Sequence, residues 1–248
     1  ACFRVYNDWL ADYCRHSPRR LVGLALISLT DIDLAVEELR RCANLGLKGG
    51  MIWNSPPDSR PYSSDEYDPF WNAAQELHMP LSLHALTGHH ESRLPLSSPF
   101  FILSTYHEVE RSLATIILSG VLERYPELKV ISVESQAGWI PYFLQRMDRV
   151  VASGRTAYST PLSLKPSEYF HRQVYATYID DPVAISSLEL IGAGNLLWSS
   201  DYPHNASSWP HSQAIVERDF GHITPEVRRK VVRDNVVTLY RLETARPG

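Results

Sequence analysis

Short apolar runs alternate along the chain with longer segments whose apolar residues recur at helical spacing. Residues 21–27, 47–53, 79–86, 127–134, 173–179 and 196–198 read as buried strands, rich in aliphatic and aromatic side chains and bounded by Gly, Pro or Asn. Between them, Trp9, Leu10 and Tyr13 give a helix over 8–15 that Pro18 ends. Thr30 or Asp31 caps a helix whose Leu34, Leu39, Cys42 and Ala43 share a face, with Gly46 as its stop. Asp68-Pro69 opens a helix over 68–77 with a cap and an N1 proline. Leu113, Ile116, Ile117, Val121 and Leu122 form the buried stripe of a helical region over 99–125. Trp139, Phe143 and Met147 face inward on the next helix, Asp180-Asp181-Pro182 starts a short one running to 190, and helices follow at 210–220 and from Thr224-Pro225.

Strand and helix repeat about every 30 residues, which predicts right-handed βαβ units and a parallel sheet. No Gly-x-Gly-x-x-Gly follows a strand and no Walker loop occurs, so a TIM-like (β/α) barrel is favoured over a dinucleotide-binding fold.

In such a barrel the chemistry sits at the C-terminal strand ends. Asp201, just past the last strand, is the first candidate, although a carboxylate before Tyr-Pro also reads as the cap of a turn. His84 occupies the equivalent place in its own strand, and a lone strand histidine also reads as a satisfied core residue. Carboxylate and imidazole together suit a divalent cation. Glu134 ends a third strand, as a catalytic carboxylate or as a helix-start partner of Arg146. Tyr178 is expected to face this site from its strand. His204 and Trp209, on the loop after Asp201, offer a substrate a hydrogen bond and an apolar wall, or are simply solvated loop residues. The loop over 54–64 is a further place for substrate contacts, and His89, His90 and Arg93 read as solvated loop.

Composition narrows the partners. With 248 residues, 44% hydrophobic and 21% charged, the chain has the composition of one globular domain. A net charge of −4 and scattered arginines leave no basic stripe for nucleic acid, so a small-molecule substrate is expected. Cys2, Cys14 and Cys42 include no Cys-x-x-Cys, which argues against a disulfide framework or zinc knuckle and fits a reducing cytoplasm. No apolar run is long enough for a membrane span, and the start has neither signal-peptide organisation nor an initiator Met, which suggests a fragment or processed chain.

Asp68-Pro-Phe-Trp71, Pro80-Leu-Ser-Leu-His84, Val133-Glu-Ser-Gln-Ala-Gly-Trp-Ile-Pro141 with Arg146-Met-Asp148, and Trp198-Ser-Ser-Asp-Tyr-Pro-His204 with Trp209-Pro210 occur in that order. Together they resemble the amidohydrolase-2 family, which contains aminocarboxymuconate-semialdehyde decarboxylase and related metal-dependent carboxy-lyases and hydrolases. The likeness runs from Tyr6-Asn-Asp-Trp9 to Leu239-Tyr240. It implies a barrel with one divalent metal, usually zinc, at its mouth. His84 would be the fifth-strand ligand, and Asp201 the eighth-strand carboxylate that binds metal and handles a proton.

The family's first strand supplies a His-x-His pair, and none occurs here. The resemblance therefore implies that the first two strands are absent. The sheet should then be open between the strands at 21–27 and 196–200, with a reduced ligand set and exposed apolar residues on the opening helix and on those two strands. A partner, including a second copy in a homo-oligomer, could cover such a seam. Glu134 stands where the decarboxylases proper carry histidine. The leading reading is a metal-dependent carboxy-lyase or hydrolase acting on a small aromatic or unsaturated carboxylic acid. The alternatives are a metal-free hydrolase using Glu134 and Asp201 as an acid/base pair, and a non-catalytic partner subunit.

Overall fold

Six parallel strands line up side by side in sequence order: β1 (Ala25–Leu26), β2 (Gly50–Trp53), β3 (Leu81–His84), β4 (Val130–Val133), β5 (Val174–Tyr178) and β6 (Leu196–Trp198). The computed structural model describes residues 1–88, 98–154 and 160–243. Among the described residues the sheet does not close, and β1 and β6 are its edges.

Registered partners share a face, so Ser82, Ile131 and Tyr175 form one layer on the concave side. Ile131, Leu197, Val133 and Tyr175 pack there against Val236, Leu239 and Tyr240 from the end of the chain. The opposite parity, including Leu81, Val130, Val174, Ala176 and Leu196, belongs to the large core beneath the helices.

The helices are α1 (Cys2–Arg15), α2 (Ile32–Asn44), α3 (Asp68–Glu76), α4 (Pro99–Leu118), α5 (Val121–Arg124), α6 (Ile140–Ala152), α7 (Pro166–Gln173), α8 (Pro182–Ser186), α9 (Leu188–Ile191), α10 (Ser212–Phe220), α11 (Pro225–Arg229) and α12 (Asn235–Leu239). Asp31 caps α2 by accepting from the Leu34 amide, and Thr224 caps α11 through Val227. The region expected as one helix over 99–125 breaks at Gly120, whose φ of +79° is left-handed and whose added Cβ would lie 2.4 Å from Thr160 Cγ2. Helix α7 escapes the apolar pattern. Its signals are Pro166 at the first turn and Glu168, whose carboxylate accepts from the Lys165 amide at 2.8 Å.

The two sheet edges are blunted by the same device. In β1, Ala25 and Ile27 donate their amides to β2, so the polar groups of Leu26 point to the open side. There Asn7 Nδ2 donates to the Leu26 carbonyl at 3.0 Å, and the Leu26 amide donates to Asn7 Oδ1 at 2.8 Å. On β6, Asn235 Nδ2 donates to the Leu196 carbonyl at 2.8 Å. A side-chain amide thus stands in for a neighbouring strand at each edge. The expected seam exposure is only half present. Phe3, Val5, Tyr6, Trp9 and Tyr13 of α1 are exposed, but Ala25, Ile27, Leu196 and Leu197 are buried, because helices cover one face and the chain's end covers the other.

Asn7 is fully buried and also donates to Glu38 Oε1 at 2.8 Å. Asn7→Ala strands both Leu26 groups and should cost about 2–4 kcal/mol, measured as a lower urea midpoint. The Arg41 guanidinium beside Glu38, with Asn7 adding a second hydrogen bond, holds the Glu38 carboxyl at about 2. A depressed carboxyl stabilises the fold above its unfolded value of 4.5, and that contribution fades as pH falls toward 2. Glu38→Gln should therefore cost about 2–3 kcal/mol at pH 7, and the gap from the parent should shrink below pH 4.5 in paired urea titrations.

Candidate metal and substrate site at the strand ends

Because every strand is parallel, the residues that follow β3, β4 and β6 emerge at one mouth. His84 is the last residue of β3, Glu134 follows β4 directly, and Asp201 comes three residues after β6. Backbone strain marks the same rim. Leu86, Glu134, Gln136 and Asp201 have φ of +65°, +59°, +54° and +54°, a left-handed conformation that costs a non-glycine residue energy and persists only where the surroundings hold it.

Glu134 joins the pieces. Its Oε2 lies 3.4 Å from His84 Nδ1, and its carboxylate lies with Asp201 and His204 so that one ligand atom from each falls within 4.8 Å of the others. His84 Nδ1 donates to the Ala85 carbonyl at 2.7 Å, which leaves Nε2 unprotonated, with a lone pair able to accept or to ligate. The turn Asp201-Tyr-Pro-His204 folds back through the His204 amide, which donates to the Asp201 carbonyl at 2.9 Å. That return places His204 Nδ1 3.2 Å from Asp201 Oδ2, outside hydrogen-bonding geometry, so this buried carboxylate oxygen has no hydrogen-bond partner among the described residues. Glu134, Asp201 and His204, with one buried oxygen unsatisfied among the described residues, are a donor set that fits a divalent cation, and His84 adjoins it through Glu134.

The other sequence candidates separate. Trp209 is exposed and packs edge-on against Tyr202, ring centroids 5.1 Å apart, on the loop that follows Asp201. Tyr178 does not face the mouth. It lies on the helix-covered side of β5, fully buried, where burial and then the charge of Asp219 push its hydroxyl well above the usual tyrosine range. Thr177, of opposite parity, is the residue on the mouth side, and its Oγ1 accepts from the Glu134 amide at 3.2 Å. Arg146 is exposed on α6 and makes no ion pair with Glu134 among the described residues. His89, His90 and Arg93 lie outside the described residues. Tyr106 of α4 was absent from the sequence reading, since nothing local marks it. Burial and then the Glu134 charge raise its hydroxyl above the ordinary range.

A parallel barrel-type sheet with carboxylates and imidazoles gathered at its strand ends is the arrangement of a metal-dependent hydrolase or carboxy-lyase. The chain belongs to the amidohydrolase family, whose model matches residues 1–242. Gamma-resorcylate decarboxylase of Rhizobium sp. is 28% identical over 259 residues, spanning 98% of this chain and 76% of the relative. 2-Amino-3-carboxymuconate-6-semialdehyde decarboxylase of Dictyostelium discoideum is 23% identical, over 89% of this chain and 62% of its own length. Among solved structures, 5-carboxyvanillate decarboxylase from Sphingomonas paucimobilis superposes with a TM-score of 0.80 at 25% identity, covering 96% of this chain and 71% of the other. Dihydroxybenzoic acid decarboxylase from Polaromonas sp., solved with manganese and the inhibitor 2-nitroresorcinol, gives 0.78 at 28% identity, covering 98% and 76%. Among the described residues no helix is long and apolar enough to cross a membrane.

Proposed function

We propose that this protein catalyses the metal-dependent, non-oxidative decarboxylation of a hydroxylated aromatic carboxylic acid. The observation that carries the reading is Asp201 Oδ2, buried without a hydrogen bond among the described residues beside Glu134 and His204, in a chain whose relatives include decarboxylases of aromatic acids. His84 and Asp201 would hold the cation, with Glu134 next to both. When bound, the metal supplies positive charge that orients and polarises the substrate's carboxylate and neighbouring hydroxyl.

In its protonated form Asp201 delivers a proton to the ring carbon that bears the carboxylate. The carbon–carbon bond then breaks, CO₂ leaves, and the bonding pair restores the aromatic ring. The delivered proton stays on the ring as its new C–H bond, and Glu134 passes Asp201 a fresh proton taken up from solvent for the next turnover. His204 hydrogen-bonds the substrate, and Trp209 with Tyr202 forms an apolar wall along the ring. Zinc was the expected cation. The carboxylate-rich donor set also suits manganese, the ion in the Polaromonas structure, and we assign the site to manganese first. The reading places the protein in the cytoplasm, where its free cysteines would stay reduced.

The test is to load the purified chain with Mn²⁺ or Zn²⁺, measure metal content, and follow CO₂ release from a panel of hydroxybenzoates and carboxyvanillates beside a panel of esters and lactones. Metal-dependent CO₂ release from an ortho-hydroxy acid supports the proposal. Ester hydrolysis without decarboxylation would replace it with the hydrolase reading.

A further inference from the structure

We infer that Asp181 is a positioning residue that fixes the direction of Glu134, acting with Gln136 as a clamp between the loops after β4 and β5. This deepens the proposed function, since it rests on Glu134 belonging to the site. Asp181 is buried, and its two carboxylate oxygens serve different elements. Oδ1 accepts from the Ala184 amide at 3.0 Å and caps α8. Capping needs only that one oxygen. Oδ2 reaches across the sheet and accepts from two successive amides, Ala137 at 2.9 Å and Gly138 at 2.8 Å. Bonds from a carboxylate to two backbone amides are charge-assisted and set both distance and orientation.

The loop returns the contact. Gln136 Oε1 accepts from the Ile179 amide at 3.2 Å, so each loop holds the other through a side chain. Gly138 permits the approach, because a Cβ there would lie 2.8 Å from Val183 Cβ and 3.0 Å from Asp181 Oδ1. The segment held this way contains both left-handed residues of the loop, Glu134 and Gln136. Such strain relaxes unless the surroundings over-determine it. The clamp, with the Glu134 amide bonded to Thr177 Oγ1, supplies that constraint. Without it the backbone at residue 134 can return to φ below zero, which swings the carboxylate away from His84 and Asp201.

The test compares Asp181→Ala with Asp181→Asn. Both are followed by hydrogen exchange of the 134–138 amides, by Mn²⁺ affinity from calorimetry, and by steady-state kinetics. The alanine variant should exchange faster in that loop alone and bind Mn²⁺ about tenfold more weakly. Its kcat should fall about 10- to 100-fold, with KM changed less than about threefold. Asparagine keeps an oxygen acceptor for the loop and should restore kcat to within about fivefold of the parent. If the alanine variant does not fold, Gln136→Ala removes the other strap and should give the same pattern at smaller size. Wild-type loop exchange and Mn²⁺ affinity in the variants would overturn the inference, as would faster exchange spread evenly over the sheet. If the parent releases no CO₂, the proposed function fails, while the exchange and Mn²⁺ comparisons still decide the clamp.

Discussion

Asp201→Asn is expected to abolish most of the CO₂ release while leaving the fold intact. The substitution keeps the size and planarity of the side chain and an oxygen able to accept, but it removes the group that gives up a proton. Positioned acid–base groups contribute about 100- to 10,000-fold to rate, and a loss in that range is expected here. Asparagine is also among the residues that best tolerate a left-handed φ, so the +54° backbone at this position should survive. The thermal midpoint should accordingly stay within a degree or two. Rates must be compared at saturating Mn²⁺, because one ligand is weakened at the same time. An Asp201→Asn variant that kept more than a tenth of the parent kcat under those conditions would remove this residue from proton delivery. The proton donor would then be sought in Glu134 or Tyr106.

The strands and most helices were legible because their signals are local. Asp68-Pro69 announces α3 by a fixed φ and a missing amide, and the aliphatic runs announce the strands wherever they sit in the sheet. The length of β1 was not legible. An edge strand pairs on one side only, so only Ala25–Leu26 of the apolar run 21–27 is regular strand, and the open side is satisfied by Asn7 from 19 residues away. Site membership was readable at the level of strand ends but not at the level of parity. Residues 173–179 carry apolar side chains on both parities, as a strand covered on both faces must, so nothing in them separates Thr177 from Tyr178. Asp181 was read as a helix start, which accounts for one of its oxygens. The other engages residues 43 and 44 positions away, and no sequence spacing encodes that contact.

His84 and His204 should separate cleanly when each is replaced by alanine, because the two rings present opposite chemistry to the mouth. His84 uses Nδ1–H to donate to the Ala85 carbonyl, so its Nε2 carries a lone pair, held on the end of a strand. His204 is arranged the other way. Its Nδ1 accepts from the Ala206 amide at 3.4 Å, which puts the proton on Nε2 and makes that atom a donor. His204 does belong to the cluster with Glu134 and Asp201 by distance, but it sits on an exposed turn, and binding a metal through Nδ1 would compete with the Ala206 bond. The strand histidine is therefore the better ligand and the turn histidine the better substrate contact. Losing a partner that merely orients a ligand costs about 10- to 100-fold in metal affinity, so loss of His84 should cost at least about 100-fold. His204→Ala should leave Mn²⁺ affinity within about threefold and raise KM about tenfold, the size of one hydrogen bond to a carboxylate. Calorimetry with MnCl₂ and steady-state kinetics on the two variants measure both quantities. The reverse pattern, with Mn²⁺ lost from His204→Ala and kept by His84→Ala, would move the metal toward Glu134, Asp201 and His204, and would leave His84 as a hydrogen-bonding partner of Glu134.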